Sequence, residues 1–111
     1  MTTPVIRTVG VPKEIKNNEY RVAMTPDGVR EFERLGIKVF VETGAGVGAS
    51  FGDADYRAAG AQIVPTADDA WSQSMVVKVK EPKAEEFAYL RPDQTLFTYL
   101  HLAAYPVVAE A

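Results

Sequence analysis

The sequence predicts an α/β domain with a doubly wound, mostly parallel sheet of about five strands flanked by helices. Three observations carry this. β-rich runs alternate with helical segments along the chain. The helical segments have start and stop residues that suit their ends, Thr25-Pro26-Asp27 and Gly36 being the clearest set. The chain has 111 residues, 47% apolar and 24% charged, with no low-complexity linker or repeat, so it reads as one globular domain.

Val5 to Val11 is a β-rich run ended by Pro12, which has no N–H to donate to a ladder. Residues 12–24 are polar without a clear period and read as a long loop. Thr25 then serves as N-cap, Pro26 as first helical residue and Asp27 as an anion in the first turn, where the helix dipole favours it. Val29, Phe32 and Leu35 recur at helical spacing, and Gly36 supplies the left-handed stop. Ile37 to Val41 is the second strand, expected to be buried on most of its faces.

Asp53 is expected to cap a short helix through Tyr56 and Ala59 that ends at Gly60, and Ala61 to Val64 is a short third strand before Pro65. Thr66 opens another helix reaching Trp71, with Asp69 placed as the acid of a capping box. Met75 to Val79 is the fourth strand, ended at Lys80-Glu81-Pro82. Ala84 to Leu90 reads as helical, Arg91-Pro92-Asp93 as a turn, and Gln94 to Leu100 as the fifth strand. Pro106 has the position of a first helical residue, and Ala111 follows about one and a half turns later, a length marginal for a lone helix. The expectation is a chain cut just after a helix begins.

Composition excludes several classes. Twelve Lys+Arg against 15 Asp+Glu give a net charge of −3 without a basic cluster, which argues against nucleic acid or an anionic membrane as a partner. No cysteine means no disulfide, thiol catalysis or iron–sulfur ligation, and one His allows no multi-His metal site. The N-terminus has no basic region ahead of an apolar run, and no apolar stretch approaches the ~20 residues of a spanning helix. A cytoplasmic location is the default expectation.

Gly44-Ala45-Gly46-Val47-Gly48-Ala49 formally matches a dinucleotide-binding fingerprint, but the next helix starts only near Asp53 and the following strand ends without an acid for a ribose hydroxyl. It reads as a turn. A better argument is topological, because open α/β sheets bind ligands beyond the carboxyl ends of their strands, near the switch in strand order. Arg21 lies in the loop after the first strand, Lys80 follows the fourth and His101 follows the fifth. An arginine fork suits a carboxylate, a lysine can polarise a carbonyl and a histidine moves protons near neutral pH. Together they suit a small 2-oxo or 2-amino acid. Against this, a loop arginine is usually a solvated charge, Lys78 and Lys80 share strand parity so that one is expected to be solvated, and a lone histidine is often structural. The polar run Asn17-Asn18-Glu19-Tyr20-Arg21 is either a ligand-contacting loop or a solvated turn.

Val9-Gly10-Val11-Pro12-Lys13-Glu14 and Asn17 through Pro26 resemble the opening of the alanine dehydrogenase and proton-translocating transhydrogenase superfamily. The likeness runs collinearly through Glu42-Thr43-Gly44-Ala45-Gly46, Ala58-Ala59-Gly60-Ala61, Val77-Lys78-Val79-Lys80-Glu81-Pro82 and Leu96 to Ala103. The Lys-Val-Lys-Glu-Pro and Tyr-Leu-His-Leu-Ala segments resemble alanine dehydrogenases specifically. The resemblance implies a Rossmann-like or flavodoxin-like sheet and NAD-dependent, reversible deamination of L-alanine to pyruvate and ammonia, in a homo-oligomeric parent. Carried over by position, Arg21 binds the substrate carboxylate, Lys80 contacts substrate and His101 is the catalytic acid/base. Family members insert an NAD-binding domain that has no counterpart here. Residues 1–111 are therefore expected to be the N-terminal part of the catalytic, substrate domain, inactive alone and without a cofactor or metal site of their own. The alternatives are the corresponding domain of a transhydrogenase α subunit, a non-catalytic flavodoxin-like binding domain and a piece with only an assembly role. A phosphoacceptor domain would need acids at strand ends, where this chain has Pro12, Lys80 and His101.

Overall fold

Strand β1 (Thr8–Val11) lies at the centre of the sheet in the computed structural model, which describes residues 7–15, 21–80, 83–92 and 94–98. Strands β2 (Lys38–Glu42), β3 (Gln62–Val64), β4 (Met75–Lys78) and β5 (Thr95–Thr98) complete a five-stranded, all-parallel sheet in the order β3-β2-β1-β4-β5. Helices α1 (Pro26–Arg34), α2 (Asp53–Ala58) and α3 (Ala67–Trp71) provide the first three crossovers. A six-residue 3-10 helix, Ala84–Tyr89, makes the fourth. This is the doubly wound architecture expected from the sequence. The chain winds outward from β1 to β3 and then returns across the sheet to β4, so the strand order reverses between β1 and β4.

The alternation of side chains along the strands divides the core. Val9, Val11, Val39, Val41, Val77 and Val79 pack with Val29 of α1 and Tyr56 of α2 on one face. Trp71 of α3 packs with Val76 and Leu96 on the other, its ring stacked on Tyr89 at 5.9 Å. Gly10 faces α3 so closely that a Cβ there would stand 2.8 Å from the Ala70 carbonyl carbon and nearer still to its oxygen. A side chain at residue 10 would push α3 off the sheet.

The signals around α1 act as read. Thr25 Oγ1 accepts from the Gly28 N–H, Pro26 is the first helical residue, and Gly36 takes a φ of 82° just beyond the end. At α2 the expectation fails in detail, because the N-cap is Gly52 and Asp53 is the first helical residue. The Asp53 carboxylate instead accepts from Thr43 Oγ1 at 2.5 Å and the Gly44 N–H at 2.9 Å, so it stitches the helix start to the end of β2. At α3, Thr66 Oγ1 accepts from the Asp69 N–H as a cap should, while the Asp69 carboxylate takes the Thr66 hydroxyl rather than a backbone N–H. The expected strand tail at residues 99–100 and the helix at Pro106 lie outside the described residues.

Candidate functional site

The carboxyl ends of β1 and β4 are neighbours at the reversal of strand order, the place at which open α/β sheets in general bind their ligands. The polypeptide leaving β1 runs through Pro12, Lys13 and Glu14. The Lys13 N–H donates to Glu42 Oε1 at 2.8 Å, which ties this exit to that of β2. Glu14 turns inward. Its Oε2 accepts from the Val79 N–H at 2.8 Å and its Oε1 from the Lys80 N–H at 3.3 Å, just beyond the last ladder residue of β4.

Lys78 lies beneath this clasp, its side chain only 1% exposed. Its Nζ is 3.1 Å from Glu14 Oε1 and 3.0 Å from Glu86 Oε2, and Glu86 Oε1 accepts from the Lys83 N–H. Two buried carboxylates thus share one ammonium. A charge at this depth is tolerated only when paired and hydrogen-bonded, and here every member also has a partner. Neither lysine is simply solvated: Lys78 is buried in the ion cluster and Lys80, two residues beyond the strand, is half-buried.

Of the three residues singled out from the sequence, Lys80 lies two positions beyond β4 and Arg21 in the loop that follows β1, so both belong to connections leaving adjacent strands on the carboxyl edge. Arg21 is exposed and retains an interaction within the fold. His101 lies outside the described residues. Glu14 and Glu86 were not singled out. Their partners are 65 and 8 residues away, and no periodicity in the polar loop distinguishes Glu14 from a solvated acid.

The glycine-rich segment has a structural explanation. Gly44 adopts a φ of 80°, and a Cβ at Gly46 would meet the Tyr56 hydroxyl at 2.7 Å and the Phe51 carbonyl at 2.8 Å. The Tyr56 hydroxyl passes this glycine to donate to the Met24 carbonyl at 2.8 Å. Burial, with the charges of Asp53 and Asp55, pushes the phenol up to about 12. The hydrogen bonds from Thr43 and Gly44 hold the Asp53 carboxyl below its ordinary range, with a smaller contribution from Arg57. This segment does not fit a dinucleotide pyrophosphate, because the Gly44 N–H is taken by a carboxylate that would itself repel the anion.

A separate cleft of about 470 Å³ opens between the starts of α1 and α2, lined by residues including Asp27, Arg30, Phe51 and Asp55. Its arginine is held by Asp27 at 2.6 Å, and neither Glu14, Arg21 nor Lys80 lines it. No helix among the described residues is long and apolar enough to cross a membrane.

Residues 10–111 match the family described as alanine dehydrogenase/PNT, N-terminal domain. The alanine dehydrogenase of Mycolicibacterium smegmatis is 58% identical over 97 residues, covering 86% of this chain and 26% of that protein. That of Bacillus subtilis is 54% identical over 103 residues, covering 93% and 27%. A solved L-alanine dehydrogenase superposes with a TM-score of 0.84 at 57% identity, covering 93% of this chain and 28% of that one. A transhydrogenase from Sinorhizobium meliloti gives 0.80 at 32% identity, covering 91% and 30%. The chain spans little more than a quarter of the length of these curated relatives. With a family match over nearly all of its residues and a matching all-parallel sheet, the chain belongs to the alanine dehydrogenase/PNT N-terminal domain family.

Proposed function

We propose that this chain is the N-terminal part of the substrate domain of an NAD-dependent alanine dehydrogenase, which interconverts L-alanine with pyruvate and ammonia. The observation that carries the reading is the identity of 54–58% with proteins named alanine dehydrogenase across 86–93% of the chain, against 32% with the transhydrogenase. The placement of Arg21 and Lys80 on connections from adjacent strands supports it.

In this reading Arg21 grips the substrate carboxylate through its planar fork and so orients the 2-carbon. Lys80 holds its ammonium against the carbonyl oxygen, where negative charge gathers as the carbon is reduced. His101 holds and moves the proton on that oxygen, a role that rests on the family resemblance at its position. NAD is held by a domain outside this sequence, since the glycine-rich segment here does not fit it. The parent enzyme works in the cytoplasm as a homo-oligomer, and the isolated 111 residues are inactive.

The test is NADH formation from L-alanine by the full-length protein carrying this sequence. Robust alanine-dependent NADH formation is expected, together with none above background from the isolated chain. A full-length protein that exchanges hydride between nicotinamide nucleotides but ignores alanine would establish the transhydrogenase reading instead.

A further inference from the structure

We infer that Glu14 is a positioning residue for Lys80: its carboxylate fixes the backbone from which Lys80 projects, and hence where the ammonium meets the substrate. The inference rests on the proposed role of Lys80 in binding substrate. β4 ends at Lys78, so the next two amides have left the sheet ladder, and Val79 is only 3% exposed. Buried N–H groups need an acceptor. Glu14 supplies it for both, with one oxygen on each N–H, from 65 and 66 residues away.

The same carboxylate is fixed from below by Lys78. It cannot swing away without stranding a buried ammonium on Glu86 alone. The clasp therefore holds the Lys80 backbone against the β1 connection, and that connection also carries Arg21. One residue thus sets where the group proposed to hold the carbonyl oxygen of a 2-oxo acid leaves the strand end. Without Glu14 the strand end would be free to shift, and small misplacements of a binding group cost up to about 100-fold in rate.

Glu14→Gln is the suitable variant. The amide keeps the shape of the side chain but offers one acceptor oxygen, and its NH₂ faces donors. It also leaves Lys78 paired one-to-one with Glu86, so the buried cluster retains a balanced ion pair. In the full-length enzyme, the expected result is a rise of about 10- to 100-fold in KM for pyruvate, with KM for NADH unchanged. In a Lys80→Ala background the same substitution is expected to add no further loss. Glu86→Gln, which disturbs the ion cluster but touches neither the Val79 nor the Lys80 amide, is expected to leave the pyruvate KM as it was.

A folded Glu14→Gln enzyme with pyruvate KM within about twofold of wild type overturns the inference. So does a full additional loss in the Lys80→Ala background, or an equal effect from Glu86→Gln. Should Glu14→Gln not fold, Glu14→Gln combined with Lys78→Met and Glu86→Gln removes all three buried charges together and is read by the same constants. A wild-type enzyme unable to form NADH from L-alanine overturns the functional reading itself, and is thereby distinguished from a failure of the Glu14 assignment.

Discussion

Lys78→Ala removes the ammonium that the buried carboxylates of Glu14 and Glu86 share at 3.1 and 3.0 Å. Glu14 keeps the amides of Val79 and Lys80, and Glu86 keeps that of Lys83, but neither retains a counter-charge in the cluster. Breaking a buried pair by deleting one member costs about 3–5 kcal/mol, and the surviving hydrogen bonds place this case near the lower end, about 3 kcal/mol. Lys80→Ala removes a half-buried side chain outside the cluster and is expected to change stability by no more than about 0.5 kcal/mol. Urea unfolding of the 111-residue chain distinguishes the two, with Trp71 as the probe, since it is the sole tryptophan and is buried against Tyr89. With a urea dependence of about 1–3 kcal/mol per molar, Lys78→Ala should lower the midpoint by about 1–3 M while Lys80→Ala leaves it almost in place. Adding Glu14→Gln and Glu86→Gln to Lys78→Ala should restore much of the loss. Coincident midpoints for Lys78→Ala and wild type would refute the reasoning that this lysine holds the strand end together.

Other perturbations test separate parts of the account. Gly10→Ala forces a methyl against the Ala70 carbonyl and should cost at least about 1–3 kcal/mol, and an unmoved urea midpoint would contradict the close seating of α3 on β1. The Tyr56 phenol is raised in the folded state from 10.0 to about 12, so its contribution to stability is complete below about pH 10 and is lost as the pH climbs towards 12. Tyr56→Phe should remove that part of the pH dependence and cost about 1 kcal/mol through the lost bond to Met24, which urea midpoints at about pH 9 and pH 11 would compare. Arg21→Lys in the full-length enzyme should chiefly raise KM for pyruvate, because a point charge cannot form the bidentate fork, and an unchanged KM would remove Arg21 from the site.

Sequence legibility follows the range of the interactions involved. Thr25, Pro26 and Gly36 act within one or two turns of themselves, so their types announce α1 directly. The strand-end positions of Arg21 and Lys80 are also legible, because a parallel sheet brings all strand ends of one polarity to one edge. Asp53 misleads because an acid before a helix usually caps it, whereas here a stronger claim comes from Thr43 and Gly44 ten and nine residues earlier. Strand parity places Lys78 and Lys80 on one face but is blind to which is buried. That is decided by carboxylates arriving from the β1 connection and from the 3-10 helix at Ala84–Tyr89. Glu14 is illegible for the same reason: its role exists only once residues 14 and 79 meet.

The most direct test of the central claim, a substrate site at the carboxyl edge between β1 and β4, is a crystal structure of the full-length protein with pyruvate bound. The account predicts the pyruvate carboxylate on the Arg21 guanidinium and its keto oxygen within hydrogen-bonding distance of Lys80 Nζ, with the Lys80 amide still held by Glu14. Pyruvate bound elsewhere, touching neither Arg21 nor Lys80, would contradict it.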